Sequence, residues 1–426
     1  MPHWKASLAR AAVYVGEALR PMLVRVLPME TLKNCKNRLM DRNSRAQRSR
    51  VPFEEGAYPS GVNLIGYARA GMGLGQGCRL MAAALEHAPF PYTVLDIRLP
   101  SGAVGTENAF AHRFEKAARY SVNLVHINAE QTPYLHITLP AATWDKRYNI
   151  AIWLWELEDF PNEWTEHFSA YDEIWTPTRF NSAAVAKKSP VPVVTIPYGV
   201  EAPVCAGFDR AHFGLPGDRF LFLCMYDVNS TSRRKNPLGA IRAFQCAFTP
   251  EQKDVALAVK VNGGSEQELR ELREAIGEYR DSILLVGDGA TMPKEEVNAL
   301  INACDAFVSL HRSEGFGLVI AESMLLGKPC IATNWSGNVD FMDSGCACPV
   351  DFELVPVGED CGPYKAYQRW AEPNLLHAAA YMRRLSTDPA YCAMLSVAAK
   401  RRMEMEFSAE RCAQRIQARL AEIGVV

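Results

Sequence analysis

Long apolar runs are missing from this 426-residue chain. The longest candidates, such as Ile150 to Trp155, are strand-sized, far short of the roughly 18 residues that a membrane span needs. An excess of one sign of charge is missing too. With a formal net charge of −2, the chain has no overall field to hold a polyanion, which excludes nucleic acid as an expected partner. The twelve cysteines form no C-x-x-C pair and no zinc-like spacing; Cys346 and Cys348 make a lone C-x-C. A chain of this length needs no disulfides to fold, so the cysteines read as reduced thiols of a cytoplasmic protein. No internal repeat at a solenoid period and no low-complexity tract is present.

What is there is an ordinary globular balance, 48% hydrophobic and 22% charged residues, at a length that points to two domains. Residues 1–50 stand apart, with eleven Lys/Arg against three acids, net +8. The pattern predicts one or two amphipathic helices over residues 5–40, broken near Pro21 and Pro28. Glu17, Arg20 and Arg25 interrupt the apolar stretch and no small-residue cleavage site follows, so it does not read as a secretory signal. Leu8, Val13, Val15, Leu19, Leu23, Val24 and Leu27 add apolar surface. A basic amphipathic helix of this kind suits an anionic membrane surface, here the inner face; a helix packed on its own domain suits the same residues.

After a polar linker, strands and helices alternate, which implies parallel βαβ units. A first series has predicted strands at 62–67, 92–95, 122–127, 150–154, 173–176 and 193–196. A second has strands at 219–226, 256–261, 282–286, 306–310 and 329–332, and the last sixty residues read as helical. The expected organisation is an N-terminal extension and linker (1–58), a first Rossmann-like domain (59–200), a second (201–404), and a C-terminal helix (405–426) that crosses back to the first.

Two segments carry chemistry. Gly71-Met-Gly-Leu-Gly-Gln-Gly77 follows a strand and opens a predicted helix from Arg79 to Glu86, where backbone can approach a diphosphate at a helix N-terminus. A tight βα turn uses the same residues. The nicotinamide fingerprint G-x-G-x-x-G fails here: its third glycine falls on Gln76 or Cys78, although Asp96 ends the next strand where a ribose-binding acid would sit. The second segment is Ser309-Leu-His-Arg-Ser-Glu-Gly-Phe-Gly-Leu-Val-Ile-Ala-Glu-Ser323. Glu314 follows a strand, glycines make the turn, and Glu322 lies on the following helix, turned back towards the same side. Carboxylates accept hydrogen bonds from vicinal hydroxyls, which suits a sugar and a ribose. Taken alone, a capped helix with two solvated acids fits equally well.

Read as E-G-F-G-L-x-x-x-E, with Gly327-Lys-Pro329, Ala332-Thr333 and Ser336-Gly-Asn338 after it, this segment resembles the family-four retaining glycosyltransferases of the GT-B fold. Trp175-Thr-Pro-Thr-Arg-Phe180 and Ile196-Pro-Tyr-Gly-Val200 are similar to that family's interdomain passage. Arg233-Arg-Lys-Asn-Pro237 is similar to its phosphate-binding turn. The resemblance covers about Gly61 to the C-terminus. It implies an α/β GT-B architecture, two Rossmann-like domains with parallel sheets facing a central cleft. It also implies sugar transfer from a nucleotide-diphosphate donor to a glycan or lipid-linked hydroxyl acceptor, in cell-surface polysaccharide or glycolipid assembly. The nucleotide sugar is a co-substrate, with no other cofactor. Glu314 would bind the donor sugar, Glu322 the ribose, and Lys235 with Arg233 or Arg234 the diphosphate. The turn Gly315, Phe316, Gly317 and Leu318 would meet donor oxygens, and Gly73 and Gly75 would let the first loop close on the diphosphate.

Two positions depart from the family. Ser230 stands where many members have an arginine before the phosphate lysine. The strand Ile150-Ala-Ile-Trp-Leu-Trp-Glu-Leu-Glu158 lacks the family's histidine, and Glu156 takes about that place, with His126 and His311 as alternatives for acting on the acceptor. No D-x-D triad that would bridge a metal to the diphosphate is present, so no metal site is expected. The rival readings are a nicotinamide-dependent oxidoreductase, against the failed glycine spacing, and a non-catalytic glycan-binding relative, against the intact Glu314, Glu322 and Lys235.

Overall fold

The computed structural model describes residues 50–97, 105, 107–264, 266–289 and 292–426; the helices predicted over residues 5–40 lie outside the described residues. Strand sequences such as Val62–Gly66 and Val122–His126 are buried at every position. Such runs cannot face water on either side, and they assemble as parallel strands covered on both faces. The first domain contains β1 (Val62–Gly66), α1 (Gly73–Glu86), β2 (Tyr92–Asp96), β3 (Val122–His126), α2 (Thr132–Thr138), β4 (Tyr148–Ile152), β5 (Glu173–Thr176), α3 (Arg179–Ala186) and β6 (Val193–Thr195). Its sheet has the order β2-β1-β3-β4-β5-β6, all parallel.

The second domain contains β7 (Phe220–Asp227), α4 (Ser232–Lys235), α5 (Pro237–Ala247), β8 (Val255–Asn262), α6 (Glu266–Ile276), β9 (Ile283–Gly289), α7 (Lys294–Ala303), β10 (Ala306–Ser309), α8 (Leu318–Leu325), β11 (Cys330–Thr333) and β12 (Cys348–Val350). Its sheet, β12-β11-β10-β7-β8-β9, is again wholly parallel. Strand order reverses between β7 and β10, and it is beyond the C-terminal ends of strands at such a switch point that open α/β sheets hold their ligands. The expected α/β architecture of two parallel Rossmann-like domains is therefore the observed one.

The final segment differs from the all-helical expectation. An antiparallel hairpin, β13 (Phe352–Pro356) and β14 (Arg369–Pro373), precedes α9 (Leu375–Thr387), α10 (Pro389–Glu406) and α11 (Ala409–Glu422). Trp370 and Ala371 are buried there, and Pro373 ends the strand. Helix α11 returns to the first domain. Phe407 accepts a hydrogen bond from Val200 N–H at 2.7 Å, and Arg419 grips the buried Glu173 at 2.8 and 2.9 Å. Gly199 must be glycine, because a Cβ there would stand 2.5 Å from Ala409 Cα. Among the described residues no helix is long and apolar enough to cross a membrane.

Candidate functional site

The residues after β7 and β10 meet at the point where strand order reverses. Chain direction changes sharply after α4, where Asn236 takes a left-handed conformation (φ 51°), which asparagine tolerates better than most residues. Asn236 caps α5 through Gly239 N–H at 3.2 Å and donates to Leu310 O at 2.8 Å, which ties the α4 turn to the segment after β10. The result sets Lys235 Nζ 2.5 Å from Glu314 Oε1 and Arg234 3.3 Å from Oε2. Arg234 is buried and also donates to Ser313 O at 2.7 Å and Ser230 O at 3.2 Å. Burial by itself would raise the pKa of Glu314, which is 8% exposed. The charges of Lys235 and Arg234 outweigh it and hold the carboxyl at about 2, so Glu314 is an anion at neutral pH.

The backbone around Glu314 is equally constrained. Its N–H donates to Ser336 Oγ at 2.8 Å and its carbonyl accepts from Gly337 N–H at 2.9 Å. Gly317 opens α8 at φ 93°, a left-handed position that suits glycine. Phe316 is buried between Tyr198 and Phe341, with ring centroids 5.1 and 5.2 Å away, so its side chain is an anchor across the two domains. Gly315 O accepts from Thr178 of the first domain at 3.0 Å. Leu318 is the first residue of α8.

Glu322 lies one turn into α8, 1% exposed. Lys294 Nζ stands 2.6 Å from its Oε1, yet among the described residues no donor is well aligned for a hydrogen bond to either carboxylate oxygen. A buried carboxylate with unused acceptor capacity is costly unless a ligand fills it. Helix α1 begins at Gly73, earlier than the expected start at Arg79, so the glycines form its first turns. Gly75 packs so closely that a Cβ would lie 2.0 Å from Ala70 O, whereas Gly73 is open on that side. Arg79 braces this turn, donating to Ala68 O at 3.0 Å and Ala70 O at 2.7 Å. Burial lowers its pKa, while Glu107 and Glu322 are among the acids whose fields oppose that shift.

Other expected residues have different surroundings. Arg233 turns away from Glu314: it donates to Glu359 at 2.8 Å and Val357 O at 3.0 Å, and lies over the Trp370 ring. Glu156, beyond β4, accepts from Tyr364 Oη at 3.1 Å, and its backbone carbonyl accepts from Ser313 Oγ. His126 is fully buried against Tyr198 Oη at 2.8 Å, and burial pushes its pKa down to about 4, so it is neutral. His311, also fully buried, spans Ser309 Oγ and Asn338 Oδ1, both at 3.0 Å, and burial lowers its pKa. Both histidines serve as internal struts. Among the described residues no cluster of three His, Cys, Asp or Glu could hold a metal ion. Lys294, Arg79 and Tyr364 sit in no recognisable motif, and Ser313, although inside the Ser309–Ser323 segment, carries no signal of its own there.

Two parallel Rossmann-like domains, joined by a returning C-terminal helix across a cleft, define the GT-B class of fold. Residues 208–345, which span the Lys235–Glu314 cluster and Glu322, match the family model for glycosyl transferases group 1. The match lies within the second domain of a chain of GT-B fold. Solved structures agree in fold. The HepE protein of Anabaena, in complex with UDP and glucose, is 14% identical with a TM-score of 0.60, over 85% of this chain and 100% of that one. Sucrose-phosphate synthase of Thermosynechococcus elongatus is 14% identical with a TM-score of 0.61, over 88% and 99%. A glycosyltransferase of Rickettsia africae is 14% identical with a TM-score of 0.57, over 86% and 99%. No curated protein matches the chain in sequence.

Proposed function

We propose that this protein transfers a hexose from a nucleotide-diphosphate donor to a hydroxyl acceptor with retention of configuration. The observation that carries this reading is the Lys235–Glu314–Arg234 cluster at the strand-order reversal, with the buried Glu322 eight residues further on. In this reading Glu322 binds the ribose hydroxyls and Glu314 the donor sugar. Lys235 and Arg234 stabilise the diphosphate as it departs, with backbone N–H groups of Gly315, Phe316, Gly317 and Leu318 and the α1 turn at Gly73 and Gly75 completing the donor site. The bond from C1 to the diphosphate oxygen breaks and one from C1 to the acceptor oxygen forms on the same face. The acceptor proton passes to the departing diphosphate. Glu156 lies on the acceptor side. Arg233 serves this site indirectly, through its contacts with the hairpin.

The first domain (59–200) takes the acceptor and the second (201–404) the donor, with residues 405–426 fastening them. Uridine diphosphosugars are the first donors to test, because HepE was solved with UDP. Thermal shifts with UDP-, GDP- and ADP-glucose, followed by release of the nucleotide, test the reading; no binding to any of them, or nucleotide release abolished by chelator and restored by magnesium, would overturn it as stated. The net +8 of residues 1–50 supports docking at the anionic inner face of a membrane, which would suit a glycan or lipid-linked acceptor in polysaccharide or glycolipid assembly. The full chain should pellet with anionic vesicles at low salt and release at high salt. Unchanged pelleting after deletion of residues 1–50 would remove the membrane role.

A further inference from the structure

The β13–β14 hairpin belongs to neither large sheet and lies beyond the residues that match the family model. It touches both halves of the cleft. On the second domain, Arg312 holds Glu372 at 2.6 and 3.0 Å and accepts from Ala371 N–H at 3.0 Å, while Arg233 reaches Glu359 and Val357 O. On the first domain, Gln368 donates to Asp159 O at 2.8 Å and Tyr364 to Glu156 Oε2 at 3.1 Å. Val357, Tyr364 and Trp370 are buried in the same aromatic cluster as Trp153, Trp155 and Phe160, with the Tyr364 and Trp155 rings 5.5 Å apart. The loop is stiffened from within by Cys361–Tyr364 backbone pairing and by Asp360, which accepts from Ala366 N–H at 2.9 Å.

Glu156 thus has its carboxylate held by a residue of the opposite domain. The neighbouring Ser313, next to Glu314, holds its backbone. We propose that the hairpin is a clamp on the acceptor half of the cleft and that Tyr364 is a positioning residue, fixing the Glu156 carboxylate beside the Glu314–Arg234 cluster for sugar transfer. The proposal rests on the transferase reading above. It separates two functions of the cleft: donor nucleotide is held by α8 and its neighbours, which the hairpin does not need to touch, whereas turnover depends on the clamp.

The test uses the purified full chain and Tyr364→Phe, which keeps the buried ring and removes one hydroxyl. UDP affinity is measured by calorimetry, nucleotide release with UDP-, GDP- and ADP-glucose, and hydrogen exchange over residues 155–160. Tyr364→Phe should leave UDP affinity within about twofold, slow nucleotide release about tenfold or more, since a hydrogen bond to a charged group is lost, and speed exchange in that segment about tenfold. Glu156→Gln should slow release similarly, and the double variant should be no slower than Glu156→Gln alone, because the two residues act as one unit. Val397→Ala, on the exposed face of α10 and away from the hairpin, should behave as wild type. Unchanged exchange over 155–160, unchanged turnover, additive losses, or a fall in UDP affinity matching the fall in turnover would each overturn the clamp. A wild-type chain that binds UDP and releases nucleotide from none of the three donors would count against the transferase reading, and the exchange result would still decide the clamp.

Discussion

Replacing Glu322 by alanine tests the proposed nucleotide site at an enclosed point. The carboxylate is 1% exposed, and its ion partner Lys294, 24% exposed along its side chain, can swing to solvent when the acid is removed. The stability cost should therefore fall well short of the roughly 3–5 kcal/mol that breaking a buried pair costs when the surviving charge is trapped. Binding should suffer more. Among the described residues neither oxygen of Glu322 has an aligned donor, so a ribose diol bound as proposed would gain at least one charge-assisted hydrogen bond there, worth about 1.5–3 kcal/mol. At about 1.4 kcal/mol per decade, UDP affinity should drop about 10- to 150-fold. Calorimetric titration of UDP into Glu322→Ala, with circular dichroism as a check on folding, reads this directly. Glu322→Gln, which keeps shape and one acceptor, should lie between. A folded Glu322→Ala protein with wild-type UDP affinity would refute the ribose role.

Lys235→Ala should lower kcat about 100- to 1000-fold with a smaller effect on donor affinity, since charge on the diphosphate grows as the sugar bond breaks; a wild-type turnover number in a donor-saturated assay would remove Lys235 from the site. Glu314 has a folded pKa of about 2, below its ordinary 4.5, so its ion pairing stabilises the fold above about pH 4.5, and that contribution is lost as pH falls towards 2. The stability gap between wild type and Glu314→Gln, measured by urea unfolding, should therefore shrink between pH 7 and pH 3; a gap constant across that range would contradict the pairing. Gly75→Ala should destabilise the chain by about 1–3 kcal/mol, because its Cβ would meet Ala70 O at 2.0 Å, while Gly73→Ala, which meets nothing within 4 Å, should be nearly neutral by thermal unfolding.

What could be read from sequence follows the distance over which each feature is determined. The βαβ alternation is local: buried runs such as Val62–Gly66 and Val255–Asn262 announce parallel strands within a few residues. The Glu314–Glu322 pair is legible for the same reason, since one strand, one glycine turn and one helix set both side chains. The start of α1 was harder. Seven residues containing four glycines read as a loop, but close packing of Gly75 against Ala70 O and Gly77 against His126 makes the same glycines a condition of helix docking. Tertiary space, absent from the local pattern, decides between the two.

Arg233, Arg234 and Lys235 show the limit most clearly. Three adjacent cations cannot be ranked by sequence, because a four-residue helix ending in a left-handed asparagine sends them in different directions. Arg234 and Lys235 meet Glu314, and Arg233 goes to the hairpin. That hairpin has no motif of its own, and Arg369–Pro373 lies in a stretch that reads as helix until Trp370 finds its aromatic cluster. Glu156 and Tyr364 are 208 residues apart in the chain and 3.1 Å apart in space. Nothing at either position signals the other. A tyrosine hydroxyl acquires its role only from the carboxylate that folding brings to it, so a residue that closes one domain on another is invisible until both domains are in place.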